Sequence, residues 1–118
     1  MSSSKLAESI IEGIREKKGS KIITMNLSKI KNAICNQFVI CHANSRTQVE
    51  AIAHGLQEHV KKELGVRPWH SEGFENAEWI LIDYADVVVH VFQPQIREHY
   101  KLEELWADAE LKEYDSVE

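Results

Sequence analysis

The sequence predicts one α/β domain, a mixed sheet of about five strands with flanking helices. Three observations carry that prediction. Apolar residues recur at helical spacing over residues 6–17 and 45–64. Short runs dense in β-branched and aromatic residues lie between and after them, at 22–25, 38–41, 79–82 and 87–92. No linker, repeat or low-complexity tract divides the 118 residues, an ordinary length for one core. Residues 1–118 therefore read as a single domain, with a core over residues 5–109 and a frayed tail over 110–118.

Ser2 to Ser4 are placed to cap the first helix, in which Leu6, Ile10, Ile11 and Ile14 form a stripe separated by Glu8, Glu12 and Glu16. Gly19 and Ser20 end it, and residues 21–27 follow as a strand through Ile22, Ile23 and Met25. After a polar loop, residues 37–42 read as a strand covered on both faces, because Phe38, Val39, Ile40 and Cys41 are consecutive. Ser45 and Gln48 have capping-box spacing. The helix they open runs to Leu64, with Val49, Ile52, Ala53, Leu56 and Val60 on one stripe and Gly65 as its stop. Residues 66–70 read as a short strand, which Pro68 places at an edge. Residues 78–83 and 86–92 form a hairpin about Tyr84 and Ala85. Gln93 and Pro94 then open a C-terminal helix carrying Ile96, Tyr100, Leu105, Trp106 and Ala109.

The hairpin carries the functional signal. With Tyr84 and Ala85 as the turn, Asp83 faces Asp86, Leu81 faces Val88, and Trp79 faces His90. Period-two alternation puts Ile80, Ile82, Val87, Val89 and Val91 on one face, suited to packing under helices. The other face carries Trp79, Leu81, Val88, His90 and Phe92 and ends in Asp83 and Asp86. It needs a cover, either another helix or a partner protein, and an exposed apolar patch marks an interaction site. Trp79 is a natural anchor there. Tyr100, Leu105 and Trp106 at helical spacing read as core residues, with Tyr100 equally open to a contact role.

Composition narrows the partner. Apolar residues make up 43% and charged residues 28%, with 19 acidic against 14 basic side chains and a net charge of −5. A domain that grips nucleic acid by its phosphates carries a basic excess. An acidic one suits a basic protein surface, and no direct DNA binding is expected. Nothing resembles a signal peptide, and no segment approaches the roughly 20 apolar residues of a membrane span. Cys35 and Cys41 fit neither a disulfide framework nor a zinc pattern. A cytoplasmic, reducing compartment is expected.

The same residues carry a resemblance. Phe-Val-Ile-Cys at 38–41 is followed by Ser45-Arg46, Gln48-Val49 and Ala51-Ile52-Ala53, then by Glu72-Gly73. Trp79-Ile80-Leu81 with Asp83, and Asp86-Val-Val-Val-His90, come next. Arg97 with Tyr100, Leu102-Glu103, Leu105-Trp106 and Asp108-Ala109 complete the series. In order and spacing, from Phe38 through Ala109, the chain resembles the ribosomal silencing factors, also called the Iojap-like family. The resemblance implies a nucleotidyltransferase-like fold without catalysis. It also implies binding to the L-fourteen protein of the large ribosomal subunit, steric blocking of subunit joining and repression of translation, with self-association as dimers when free. The contact residues it implies are Trp79, Leu81 and Asp83, then Arg97 and Tyr100; Asp86, His90 and Glu72 join them from the hairpin reading. Where the family commonly has Asp this chain has Asn26 and Asn36, and where it has Gly this chain has Ala85. If the turn needs positive φ there, Ala costs roughly 1 kcal/mol.

Catalysis is not expected. Mg²⁺-dependent phosphoryl transfer needs clustered carboxylates, and Asp83 and Asp86 are three apart, not the alternate pair of a catalytic strand. The glycines are scattered and form no phosphate loop. His54 and His59 are five apart and share no helix face, so the histidines read as surface or hydrogen-bonded groups, with no metal or cofactor. Cys41 reads as a core thiol. Arg97 is suited to pair with Glu103. Two rival readings are a metal-dependent nucleotide-handling enzyme, marked by Mg²⁺-dependent nucleotide turnover, and a structural homodimer seamed at the Trp79 face, which Trp79→Ala would dissociate.

Overall fold

The protein is described here by a computed structural model over residues 3–31, 33 and 35–115. Its first helix, α1 (Ser3–Glu16), leads into β1 (Ser20–Asn26) and then β2 (Gln37–His42). Helix α2 (Arg46–Leu64) follows, then β3 (His70–Glu72), β4 (Trp79–Asp83) and β5 (Val87–Phe92). Two short helices, α3 (Pro94–Tyr100) and α4 (Leu102–Leu105), precede β6 (Glu110–Tyr114). The mixed sheet has six strands in the order β3-β4-β5-β2-β1-β6. Only β2 and β5 run parallel, joined by a crossover through α2, β3 and β4.

Local chemistry accounts for α2. The Ser45 side chain accepts the Gln48 N–H at 3.1 Å, satisfying one of the free donors of the first turn. At the other end Gly65, at φ 70°, returns its N–H to the Lys61 carbonyl, the left-handed stop that glycine permits. Helices α1 and α2 cover one face of the sheet. Ile10, Ile14, Ile52 and Leu56 bury there against Val39, Ile80, Ile82 and Val89. The helices cross closely at Gly13, where an added Cβ would lie 2.7 Å from the Leu56 Cα. A glycine is therefore required at that crossing.

The other face holds a smaller cluster of Ile23, Met25, Leu27, Phe38, Ile40, Val88 and Phe92, covered in part by Leu102 with Ile96 and Trp106 against it. Of the two covers anticipated for this face, the helical one is present over part of it. The C-terminal helices close its centre, while Trp79, Leu81 and Tyr100 stay partly or largely open.

Several expectations change. The sheet has six strands instead of five, because residues 110–114, expected to fray, pair antiparallel with β1 from Asn26↔Glu110 to Ile22↔Tyr114. The C-terminal helix is two helices, broken where Lys101 takes φ 47°. Trp106 and Ala109 lie beyond it. The short strand falls at His70–Glu72, because Pro68 lacks the N–H that a ladder needs. The hairpin pairs Trp79↔Phe92, Leu81↔His90 and Asp83↔Val88, two residues from the expected register. Ala85 and Asp86 form its turn, closed by the Tyr84 N–H donating to the Val87 carbonyl at 2.9 Å. A slip of two keeps every side chain on its expected face. Ser2, expected in the first cap, and the tail beyond Asp115 lie outside the described residues.

Candidate functional site

Strand β4 presents Trp79, Leu81 and Asp83 on the incompletely covered face, and β3 places Glu72 opposite Leu81. The indole of Trp79 is held from three sides. Its ring stacks on Phe92 at 4.9 Å between centroids and meets Tyr100 at 4.8 Å. Its Nε1–H donates to His90 Nδ1 at 3.0 Å. Tyr100 is 51% exposed, so the cluster opens outward through it.

His90 lies beneath, buried, in an edge-to-face contact with Phe38 whose ring centroids are 4.6 Å apart. Because Nδ1 accepts from Trp79, a neutral imidazole carries its proton on Nε2; Nε2 has no hydrogen-bond partner. Burial pushes the His90 pKa down to about 4, opposed by the nearby Asp83 carboxylate. The ring is neutral at pH 7 and serves as an acceptor that orients Trp79.

A groove of about 450 Å³ runs between the loop after β3 and helix α3. Phe74, Trp79, Ile96 and Tyr100 are its apolar lining, and Glu72, Glu75 and Glu78 bring carboxylates to the same groove. The loop is seated by Gly73 at φ 95°, where a Cβ would lie 2.1 Å from the Trp79 carbonyl oxygen. Any side chain at that position would push the loop off the strand. Gln93 fastens the far side, donating from Nε2 to the Ala77 carbonyl at 3.0 Å. An apolar lining among carboxylates suits a basic partner with an apolar anchor point.

Asp83 is doubly engaged. Its carboxylate accepts the Ala85 N–H at 2.7 Å, while Ala85 itself sits at φ 75°. It thus shapes the turn as well as charging its end. Asp83 lies opposite Val88, not Asp86, and Asp86 is exposed in the turn.

Arg97 is not brought to this surface. Its Nη1 donates to the Lys21 carbonyl at 2.8 Å and lies 3.0 Å from His42 Nδ1, with Nε 3.7 Å from Glu103. It ties α3 to the start of β1 and the end of β2. Burial, with Arg97 and Lys21 nearby, lowers the His42 pKa.

The thiols are poor nucleophiles. Burial pushes Cys35 up to about 11 and Cys41 up to about 12, leaving little thiolate at pH 7. On the helical side, His59 Nε2 lies 3.2 Å from Glu12 and 3.3 Å from Glu63, and Nδ1 lies 3.3 Å from Glu16. These groups tie α1 to α2. Glu12, His59 and Glu63 are also the described residues whose ligand atoms converge closely enough to hold a cation.

The sequence model described as "Ribosomal silencing factor during starvation" matches residues 1–118. The chain belongs to the ribosomal silencing factor family. It is 42% identical over 117 residues to the ribosomal silencing factor RsfS of Halalkalibacterium halodurans, covering 99% of this chain and 98% of that protein. It is 36% identical over 72 residues to the chloroplastic protein Iojap of Zea mays, covering 61% of this chain and 31% of that protein. A crystal structure of a Chromobacterium violaceum protein superposes with a TM-score of 0.84 at 36% identity, covering 91% of this chain and 88% of that one.

The site contains residues that sequence reading missed: Phe74, Glu75, Glu78 and Ile96. Glu72-Gly73 was the available signal for the loop, since a glycine beside a short edge strand marks a close backbone approach. Among the described residues, no helix is long and apolar enough to cross a membrane.

Proposed function

We propose that this silencing factor binds the large ribosomal subunit through its L-fourteen protein and blocks joining of the small subunit by its bulk, repressing translation. The observation that carries the reading is the partly open aromatic groove with carboxylates about it, on a chain of this family. Trp79, Leu81 and Tyr100 supply the apolar contact. Glu72, Asp83 and Asp86 meet basic groups of the partner, and His90 holds the Trp79 ring from below. Arg97 acts at a distance, keeping α3 and therefore Tyr100 in place.

Placement is the mechanism, so no turnover, cofactor or metal enters it. The fold is read as a nucleotidyltransferase-like scaffold without catalysis. In keeping with that, the Asp83 carboxylate is engaged by the turn, and the Asn26 side-chain oxygen accepts from Ser28 at 2.6 Å. The protein acts in the cytoplasm, and the same face serves self-association when no ribosome is bound.

Co-sedimentation with isolated large and small subunits tests this, with Trp79→Ala alongside. Selective binding to the large subunit, lost in a folded variant, is the expected outcome. Binding retained by the variant moves the site, and binding of wild type to neither subunit refutes the function.

A further inference from the structure

A second surface feature lies at the outer edge of the sheet, beside β3. Trp69 is 72% exposed, more than any other large apolar side chain among the described residues. Its backbone is nonetheless fixed, since its N–H donates to the Asp83 carbonyl at 3.0 Å and Pro68 stiffens the approach. The exposed indole is therefore presented by an anchored backbone. Lys61 and Arg67 line the same shallow groove of about 530 Å³, together with Gln57, Glu58 and His70. Lys62 lies one helical turn beyond Glu58 on α2.

Four cations, Lys29, Arg46, Arg97 and Lys101, each lie beside a carboxylate, whereas several lysines elsewhere among the described residues do not; what sets this patch apart is its exposed indole. Lys61, Lys62 and Arg67 have no ion pair or side-chain hydrogen bond among the described residues. Lysines in the last turn of a helix offset its dipole, which accounts for part of the arrangement. It accounts neither for Arg67 nor for a tryptophan held open among them. An aromatic platform flanked by unpaired cations is the chemistry that takes an unstacked base between phosphates.

We propose that Trp69, with Lys61 and Arg67, contacts a looped or single-stranded stretch of ribosomal RNA, one base stacking on the indole while the cations meet flanking phosphates. This rests on the reading of the chain as a large-subunit binder. Trp69 directly precedes the edge strand β3, whose His70 and Glu72 lie opposite Asp83 and Leu81, and its own groove lies on the α2 side of that edge. A ribosomal protein docked on the Trp79 face therefore leaves Trp69 uncovered, one sheet edge away. With a net charge of −5, the chain takes RNA only at this local patch, as an adjunct to the protein contact.

The test compares wild type, Trp69→Ala and the Lys61→Gln/Arg67→Gln double variant, with circular dichroism to verify folding. Affinity is measured for large subunits at two salt concentrations and for the isolated L-fourteen protein. Tryptophan quenching by a short single-stranded uridine oligonucleotide is measured in parallel. The expected result is about ten-fold weaker subunit binding by each variant, a shallower salt dependence for the double variant, and unchanged binding to the isolated protein. Quenching is expected in wild type and not in Trp69→Ala. Unchanged subunit binding overturns the proposal, as does an equal loss toward the isolated protein, or a change confined to self-association. If wild type binds no subunit yet the oligonucleotide quenches Trp69, the ribosomal function falls and the RNA contact stands. With neither, both fall.

Discussion

Ala85 occupies the turn between β4 and β5 at φ 75°, exposed to solvent, with its N–H held by the Asp83 carboxylate. The Asp86 N–H donates back to the Tyr84 carbonyl at 3.0 Å, so the backbone turns tightly about Ala85 itself. A Cβ in this region costs roughly 1–2 kcal/mol. Ala85→Gly removes that cost and, against it, loosens the unfolded chain by about 0.4–1 kcal/mol. The net is a stabilisation of about 0.5–1 kcal/mol, worth roughly 2–4 °C in melting temperature for a chain of this size. Urea unfolding followed by circular dichroism is the assay. The midpoint should rise with an unchanged slope, because the exposed exterior of the turn adds no buried surface. A companion variant sharpens the inference: Asp83→Ala removes the acceptor that holds the turn and should cost about 1 kcal/mol. A fall in the midpoint for Ala85→Gly would refute the left-handed turn. A rise accompanied by no effect of Asp83→Ala would refute the carboxylate's part in it.

His90 makes stability depend on pH. Its folded pKa of about 4 lies below the unfolded value of 6.5, so the unfolded chain binds more protons between them and stability falls as pH drops from 6.5 toward 4. The loss should approach roughly 3 kcal/mol at the acid end, and denaturation of His90→Gln across that window should show a flatter profile. Gly13→Ala should destabilise by about 1–3 kcal/mol, since the new methyl meets the Leu56 backbone; an unchanged melting temperature would mean the helices are farther apart. Asp83→Asn keeps an oxygen for the Ala85 N–H while removing the charge. It should leave stability within about 0.5 kcal/mol and weaken large-subunit binding roughly two- to five-fold at low salt, with the difference closing as salt is added.

How far the fold was legible differs by element. Helix α2 was readable at both ends because Ser45 and Gly65 act locally. The division of the hairpin side chains between two faces was also correct, although its register was not: the turn depends on a positive φ at an alanine, which composition does not announce. Strand β6 was hidden because residues 110–113 are exposed and only Tyr114 is partly buried, so its stability comes from backbone pairing with β1. In the candidate site, Trp79, Leu81, Tyr100 and His90 converge through period-two alternation and one helix. Arg97 does not join them, because the break at Lys101 and its bonds to Lys21 and His42 set its direction. The Glu12–His59 contact joins residues 47 positions apart, a relation that no local pattern encodes.

The pairing of β6 with β1 has a consequence for the order of synthesis. Strand β1 is the first of the sheet to be made, and β6 is the last among the described residues. Until β6 emerges, the outer edge of β1 offers a row of unpaired N–H and C=O groups to any neighbouring chain. Ile22, Ile23 and Met25 on that strand are all buried in the finished fold, so a nascent chain halted before residue 110 presents both an open edge and apolar side chains. Such a chain is exposed to intermolecular strand pairing. Glu110, Lys112 and Glu113 then have a second role, since the strand that closes the sheet turns a charged border outward to the next molecule.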